Sequence, residues 1–350
     1  MLSSYRCVYH RGTRLAFKSV LLHTCRTQVR WSSTSRFEYE ISQAYSPKKG
    51  PNSRKQLLRA MAKNRPNSGE DAFCQSTYLE GQFKGSVALS VADGVGGWAA
   101  KGVDASDFSH TLCENMVEHF QRSVDNQTLV SPLFLVQTSY DDIRNKGEIE
   151  AGGSTFCVGV ASSLTGKFST SNLGDSGYFI FRQGRLVGRS EPKTHSFNAP
   201  YQLSIIPEYI LAEERRQAKR GRMEHIHDLP ADSDVARYDL KHGDVVIFAT
   251  DGLTDNVFVH DILRLVISHM ENTVSWYRDE DGELQCSANL SGADALAQNL
   301  VRLAYRNSVD PNYESPFSFS LRQSLATYAL GGKTDDITVM VMLVHEKELE

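Results

Sequence analysis

The stretch from residue 87 to 98 reads Val87-Ala88-Leu89-Ser90-Val91-Ala92-Asp93-Gly94-Val95-Gly96-Gly97-Trp98. It begins as a short apolar run of the kind that forms a buried strand, and that strand ends on Asp93. The glycines that follow let the backbone approach a ligand closely and present a carbonyl oxygen to it. This stretch therefore predicts a β-strand that carries a carboxylate at its mouth.

A second stretch repeats this arrangement. It reads Val245-Val246-Ile247-Phe248-Ala249-Thr250-Asp251-Gly252-Leu253-Thr254-Asp255-Asn256. A helix that starts at its acidic end would point Asp251 and Asp255 the same way. Taken singly, an aspartate and a glycine after a strand form an ordinary turn. The chain has three further acidic signatures beside apolar runs, however: Gly69-Glu70-Asp71-Ala72, Gly174-Asp175-Ser176-Gly177 and Thr334-Asp335-Asp336.

Carboxylates that several strand ends deliver to one point repel each other unless cations neutralise them. Oxygen ligands select hard divalent cations such as Mg²⁺ or Mn²⁺ and disfavour Zn²⁺, which prefers histidine and cysteine. The pattern therefore predicts a two-metal hydrolase, in which a pair of ions acidifies water for attack on a phosphoryl group. A cysteine-based phosphatase is disfavoured, because no cysteine is followed by the arginine-ended phosphate loop that such enzymes need.

The first 37 residues contain seven lysines and arginines but no acidic residue. This leader is rich in serine and can form one amphipathic helix, so residues 1–35 are predicted to be a mitochondrial transit peptide. A disordered basic tail is the alternative, and a secretory signal is disfavoured because Lys18 and His23 interrupt the apolar run. Cleavage near Arg30-Trp31 would leave an acidic body, which is a poor nucleic-acid binder.

Beyond the leader, residues 36–64 are predicted to be a connecting segment and residues 65–350 a single domain, because no long linker and no internal repeat follows. No apolar stretch is long enough to span a membrane. Strands are predicted at 86–91, 155–161, 167–172, 178–182, 245–250 and 337–345, and helices at 105–120, from Ser131-Pro132, at 260–270 and at 291–306. This order of elements is typical of an α+β protein with packed antiparallel sheets and helices outside.

Six short motifs follow one another along the chain: Glu70-Asp71, Asp93-Gly94, Gly153-Ser154-Thr155, Gly174-Asp175-Ser176, Asp251-Gly252 and Asp335-Asp336. In this order they resemble the metal-dependent serine/threonine protein phosphatases, often called type 2C. Two further stretches, 93–98 and 195–203, resemble the mitochondrial branch of that family, which is linked to coenzyme Q synthesis and mitochondrial metabolism. The resemblance implies an enzyme that acts on phosphorylated mitochondrial proteins, located in the matrix.

The resemblance also implies a fold and a set of site residues. The fold would be a central antiparallel β-sandwich flanked by helices, in four αββα layers. The implied ligands of two Mg²⁺ or Mn²⁺ ions are Asp93, shared by both, with Glu70 and the Gly94 carbonyl on one ion and Asp251 and Asp335 on the other. Asp71 would hold the attacking water, so Asp93 and Asp71 are the implied catalytic residues. Asp175 and Asp255 would offer a weaker third metal site. Asp336 stands where better-known relatives have asparagine, which leaves its role open.

Two positions lack a basic side chain that the family often has. Val95 stands where many members carry a histidine that could protonate the leaving group, so this proton must come from elsewhere. His195 is one candidate, although a hydrogen-bonded structural histidine is the commoner role. Pro66 stands where members often place a phosphate-binding arginine, and Arg65 or Lys63 could substitute for it.

Two other functions fit the same motifs. A regulatory protein that keeps the phosphatase fold without turnover is disfavoured, because a degenerate site usually loses ligands and every candidate ligand is present here. An enzyme of the same chemistry that acts on a small phosphate ester is a further alternative, although the sequence indicates no lining for a small-molecule pocket. The leading hypothesis is a mitochondrial protein phosphatase that uses Mg²⁺ or Mn²⁺.

Overall fold

The computed structural model describes residues 25–27, 35–50, 53–123, 128–218 and 226–347. Apart from residues 25–27 and Ser35, the predicted transit peptide lies outside these residues. The predicted domain boundaries therefore stay predictions. Within the described ranges, no helix has both the length and the apolar character that a membrane span requires.

The described residues form seventeen strands, eight α-helices and two short 3₁₀ helices, at Gly96–Lys101 and Pro230–Asp232. The strands are β1 (Cys25–Thr27), β2 (Phe37–Ser46), β3 (Asp71–Thr77), β4 (Val87–Asp93), β5 (Gly152–Ser154), β6 (Phe156–Ala161), β7 (Lys167–Leu173), β8 (Gly177–Arg182), β9 (Arg185–Arg189), β10 (Thr194–Ser196), β11 (Ala199–Pro200), β12 (Leu203–Ile205), β13 (Asp234–Asp239), β14 (Val245–Ala249), β15 (Trp276–Arg278), β16 (Leu284–Cys286) and β17 (Ile337–Glu346). The helices are α1 (Ser53–Ala62), α2 (Ala105–Arg122), α3 (Pro132–Lys146), α4 (Glu208–Ala218), α5 (Asp251–Thr254), α6 (Val259–Asn272), α7 (Ala293–Ser308) and α8 (Pro316–Leu325).

Two antiparallel sheets form the centre of the molecule. The first has the strand order β1-β2-β17-β14-β8-β9, and the second has the order β13-β7-β6-β4-β3. Their facing surfaces share one apolar core, to which the second sheet contributes Leu89 and Phe168 and the first contributes Met340 and Met342. The predicted α+β class with packed antiparallel sheets is therefore confirmed.

Strand β14 shows how the first sheet is buried on both faces. Val246 and Phe248 belong to the core between the sheets, whereas Val245, Ile247 and Ala249 belong to the core beneath helices α6 and α7. Side chains alternate between the two faces of a strand, so a strand covered on both sides needs an unbroken apolar run. The sequence of β14 is such a run.

Helices complete the four layers. Helices α2 and α3 cover the outer face of the second sheet, and α6 and α7 lie over the outer face of the first. Both α2 and α3 begin with a side-chain cap: Asp104 accepts a hydrogen bond from the Ser106 N–H, and Ser131 accepts one from the Phe134 N–H. Such caps satisfy backbone donors that a helix start leaves free, and they fix where these helices begin.

Strand β2 is the longest described strand that the sequence did not predict, and β3 and β13 of the second sheet were not predicted either. It pairs with β17 along its whole length, from Phe37 opposite Glu346 to Ser46 opposite Ile337, although it precedes the predicted start of the domain at residue 65. Its apolar residues alternate with polar ones, and four of the polar residues are themselves buried: Glu40, Ser42, Gln43 and Ser46. The polar residues hide the strand from a search for apolar runs.

Candidate metal centre

The acidic signatures meet at one end of the sandwich. In the pair of strands β3 and β4, Asp71 lies directly opposite Asp93. The hydroxyl of Thr250, which follows β14, donates a 2.8 Å hydrogen bond to Asp71 Oδ2. This bond joins the end of a strand in the first sheet to the start of a strand in the second. The two sheets therefore present their acidic ends to the same region.

Three of the predicted ligands form a compact cluster. Carboxylate oxygens of Asp93, Asp175 and Asp251 all lie within 4.8 Å of one another. One oxygen each of Asp71, Asp175 and Asp251 is buried without a hydrogen-bond partner in the described part of the chain. Buried carboxylate oxygens are costly unless a donor or a cation meets them. The atoms that these residues offer as metal ligands are all carboxylate oxygens. They therefore fit a hard divalent cation such as Mg²⁺ or Mn²⁺.

Burial and mutual repulsion raise the pKa of cluster carboxyls. Burial, followed by the charge of Asp251, raises the pKa of Asp93 well above its ordinary value. Burial, followed by the charge of Asp336, raises the pKa of Glu70 to about 7. Asp335 adds to both shifts, so the residues predicted for the two ion sites act on one another. Negative charge is concentrated here, and bound cations would relieve it.

Small hydroxyl side chains hold the backbone of Asp93. The Asp93 N–H donates to Thr155 Oγ1 at 3.0 Å, and Ser154 Oγ donates to the Asp93 carbonyl at 2.8 Å. Thr155 Oγ1 also lies 2.7 Å from Ser176 Oγ. The motifs at 153–155 and 174–176 therefore position the aspartate that the resemblance places between two ions.

Asp336 holds the turn that carries Glu70. Its Oδ2 accepts a 2.8 Å hydrogen bond from the Glu70 N–H, and its Oδ1 accepts a 2.6 Å bond from the Lys48 N–H. A Cβ at Gly69 would lie 1.9 Å from Asp336 Oδ1, and one at Gly94 would lie 2.6 Å from the Glu70 carbonyl. Both glycines are therefore needed for the backbone to pass this close. The open role of Asp336 is thus to fix the Glu70 turn.

Two lysines that the sequence did not mark as site residues reach the carboxylates. Lys333 Nζ lies 2.5 Å from Asp251 Oδ2 and 2.7 Å from Asp255 Oδ2, and Lys48 Nζ lies 3.3 Å from Asp335 Oδ1. Burial disfavours the charged form of Lys333, but the nearby carboxylates outweigh it and raise the pKa of its ammonium group. The position of Lys333 two residues before Asp335 is the one signal that could have drawn attention to it.

Known proteins resemble this chain along most of its length. The mitochondrial protein phosphatase 2C homolog 7 of Saccharomyces cerevisiae is 35% identical over 316 residues, which cover 89% of this chain and 84% of that protein. The chain belongs to the protein phosphatase 2C family. The protein phosphatase PTC7 homolog of Homo sapiens is 34% identical over 269 residues, 76% of this chain and 77% of that protein. No protein-family model matches the chain.

Membership of the protein phosphatase 2C family makes the chain, by homology, a metal-dependent serine/threonine protein phosphatase of the PTC7 branch. A solved structure, the X-ray structure of the photosystem II phosphatase PBCP, is similar with a TM-score of 0.60 and 24% identity. The similarity covers 89% of this chain and all of that chain. It supports the four-layer fold described above.

In this phosphatase 2C chain, Arg65 and Lys63, the two predicted substitutes for the phosphate-binding arginine, form ion pairs with acidic residues of helix α2. Arg65 donates through Nε and Nη2 to the carboxylate of Glu114, both at 2.7 Å, and its Nη1 lies 3.1 Å from Asp107. Lys63 also pairs with Asp107. These contacts favour a structural role for both residues, and they leave Lys48 as an exposed lysine beside the cluster.

The contacts of His195 are those of a structural histidine. Its Nε2 lies 3.0 Å from Asp228 Oδ1, and its ring stacks on Tyr201 with 4.0 Å between ring centroids. Asp228 also accepts a 2.9 Å hydrogen bond from the Gln202 N–H. The ring is thus held in a network that orders the 195–202 loop, which favours the structural interpretation over a role as proton donor.

Proposed function

We propose that this chain is a mitochondrial phosphatase that hydrolyses phosphoserine and phosphothreonine in proteins with two Mg²⁺ or Mn²⁺ ions. The observation that carries the proposal is the convergence of Asp93, Asp175 and Asp251, whose carboxylate oxygens lie within 4.8 Å of one another. These residues come from three separate motifs, and all three belong to the series shared with the protein phosphatase 2C family.

The proposed ligands divide between the two ions. Asp93 would be shared, Glu70 and the Gly94 carbonyl would complete one site, and Asp251 and Asp335 would complete the other. When bound, such ions acidify a water molecule and neutralise charge on the phosphoryl oxygens. No covalent intermediate with the protein is needed.

The remaining residues position the reacting groups. Asp71 is fully buried, and Thr250 occupies its Oδ2, which leaves Oδ1 to accept a hydrogen bond from the attacking water. Asp336 keeps the Glu70 turn in place through two backbone donors. The side chain of Lys48 is 49% exposed beside Asp335, so its ammonium group can reach a phosphoryl oxygen of the substrate.

Replacement of either of two aspartates by asparagine tests the proposed phosphatase activity. Asp93→Asn and Asp251→Asn should each lower phosphate release from a phosphoserine peptide by several orders of magnitude at saturating Mn²⁺, because activation by the metal is most of the mechanism. Asp239→Asn is the matched control, since that side chain is 78% exposed at the end of β13. Circular dichroism checks that each variant is folded, and near-normal activity of either site variant would refute the proposal.

The same assays separate the alternatives. A wild-type chain that binds no Mn²⁺ in a calorimetric titration and hydrolyses nothing would favour the regulatory protein without turnover. Faster hydrolysis of a small phosphate ester than of a phosphopeptide would favour the small-molecule enzyme. Preference for the phosphopeptide supports the protein phosphatase.

The cellular part of the proposal is a matrix location and the regulation of mitochondrial metabolism, including coenzyme Q synthesis. It is supported by the basic, acid-free leader and by similarity to a yeast relative whose name includes the word mitochondrial. Phosphoproteomics of mitochondria that lack the protein would test it. Phosphate should accumulate on matrix proteins, and an unchanged matrix phosphoproteome would contradict this part alone.

A further inference from the structure

Lys333 is an enclosed lysine among three of the proposed metal ligands. Its Nζ lies 2.5 Å from Asp251 Oδ2, 2.7 Å from Asp255 Oδ2 and 3.1 Å from Asp335 Oδ2. The side chain is only 17% exposed. An ammonium group has three N–H donors and no acceptor. Lys333 Nζ donates to Asp251 and Asp255, and it forms an ion pair with Asp335.

Hydrogen bonds to its backbone hold Lys333 in this position. The Lys333 N–H donates to Asn256 Oδ1 at 2.9 Å, and Asn256 Nδ2 donates back to the Lys333 carbonyl at 2.8 Å. Asn256 is itself fully buried, and its carbonyl accepts a 2.9 Å bond from Asn307 Nδ2. Lys333 is thus clamped by an amide that directly follows Asp255 in the chain.

An aromatic ring closes the other side of the lysine. Lys333 Nζ lies 5.4 Å from the centroid of the Phe317 ring, within the range of a cation–π contact. The Phe317 N–H in turn donates to the Asp255 carbonyl at 3.0 Å. The ammonium group is therefore held between the carboxylates of Asp251 and Asp255 on one side and the Phe317 ring on the other. These surroundings stabilise the charged ammonium group.

We propose that the Lys333 ammonium is a tethered cation that occupies Asp255 in place of a third metal ion, which the resemblance would put at Asp175 and Asp255, so that this chain binds two ions and not three. The proposal rests on the proposed two-metal function. A divalent ion bound to Asp255 Oδ2 would have to displace the lysine or lie within a few ångströms of a like charge, which is unfavourable in a partly buried site. At Asp251 the lysine takes Oδ2 only, and Oδ1, which has no hydrogen-bond partner among the described residues, stays open to the second ion. With Asp255 Oδ2 taken by the lysine, Asp175 lacks the Asp255 oxygen that the implied third site needs, and its carboxylate lies within 4.8 Å of those of Asp93 and Asp251 instead.

The number of bound Mn²⁺ ions tests the proposal without reference to activity. Calorimetric titration of the metal-free full chain should give two ions for the wild type and three for Lys333→Met, with the additional ion bound more weakly. Adding Asp255→Asn to Lys333→Met should return the number to two. Lys333→Arg keeps the charge and should also bind two.

A matched control comes from a neighbouring part of the surface. Lys49 is a lysine whose Nζ contacts the Tyr305 hydroxyl at 2.9 Å rather than a carboxylate, so Lys49→Met removes the same charge and should leave the number at two. Electron paramagnetic resonance of free Mn²⁺ gives an independent count. Thermal unfolding shows whether each variant is folded, and Lys333→Gln replaces Lys333→Met if the latter does not fold.

Two results would overturn the proposal. A wild-type chain that binds three ions would show that the lysine excludes none, and a folded Lys333→Met or Lys333→Gln variant that still binds two would show that it blocks no site. In either case the proposed function survives if the wild type binds at least two ions and hydrolyses the phosphopeptide. If it binds none, both proposals fail together.

Discussion

At the scale of single residues, charge placement separates Lys48 from Lys333. Lys48 is half exposed and has one described carboxylate contact, at 3.3 Å, whereas Lys333 is enclosed by three. The ammonium group of Lys333 donates hydrogen bonds to Asp251 and Asp255 and pairs with Asp335, so it is already engaged by the protein. Lys48 is therefore the lysine at this site that is available for a phosphoryl group, in the role that Pro66 cannot fill.

Replacement of Lys48 tests this role. Lys48→Met should raise the KM for a phosphoserine peptide about tenfold or more, with a smaller change in kcat, because a hydrogen bond to a charged group is worth about 1.5–3 kcal/mol. The inhibition constant of inorganic phosphate should rise by a similar factor, since phosphate would make the same contact. Lys48→Arg should retain most of the affinity, and Lys49→Met serves as the control. An unchanged phosphate inhibition constant in Lys48→Met would contradict the assignment.

At the scale of the element, the turn that starts β3 depends on one glycine. Gly69 has a φ of +79°, and its missing Cβ leaves the space that Asp336 Oδ1 occupies. A side chain here would meet both a backbone penalty and a collision with the carboxylate that holds Glu70. The order of this turn, and with it one proposed ion site, is therefore set by contact between two distant segments.

Replacement of two glycines by alanine, one at a time, separates the backbone penalty from the collision with Asp336. Gly102 has almost the same φ, +78°, but nothing lies within 4 Å of the Cβ it would gain. Gly102→Ala should therefore cost only about 1–2 kcal/mol for the left-handed backbone, whereas Gly69→Ala should cost more and should also weaken Mn²⁺ binding. Urea unfolding and calorimetric titration measure the two effects. Equal destabilisation with unchanged metal affinity would rule out the proposed contact as the cause.

At the scale of the whole molecule, the acidic cluster is a junction between the two sheets. Asp93 ends β4 in the second sheet, whereas Asp251 follows β14 in the first. Repulsion between buried carboxylates opposes the packing of these ends, and a cation that binds both would oppose their separation. Metal binding should therefore stabilise the folded chain.

This stabilisation has an expected size. An ion that binds only the folded state at a hundred times its Kd adds about 2.7 kcal/mol to the free energy of unfolding. Urea unfolding in Mn²⁺ and in EDTA should differ by at least this amount for the wild type and for Asp239→Asn, and by less for Asp93→Asn. The same unfolding midpoint with and without Mn²⁺ would show that the cluster holds no ion in the folded state.

The sequence by itself determined six strands of the two central sheets, the four helices that cover these sheets and the chemistry of the candidate site. The apolar run of β14, the cap formed by Ser131 before α3 and the acidic residues at strand mouths are local patterns, because periodicity and turn chemistry depend on neighbours in the chain. Strand β2 was not predicted because polar residues such as Ser42 interrupt its apolar residues, and their burial depends on packing against distant parts of the chain.

Only the tertiary structure decided which charges meet. Asp336 bonds to Lys48 and Glu70, which are 288 and 266 positions away, and it thereby gains a role that its own motif does not reveal. Hydrogen bonds and ion pairs depend on separations of about 3 Å, and sequence distance does not encode such separations. The acids were therefore evident before folding was considered, whereas the lysine that neutralises them and the glycine that makes room for them became evident only once the strands were paired.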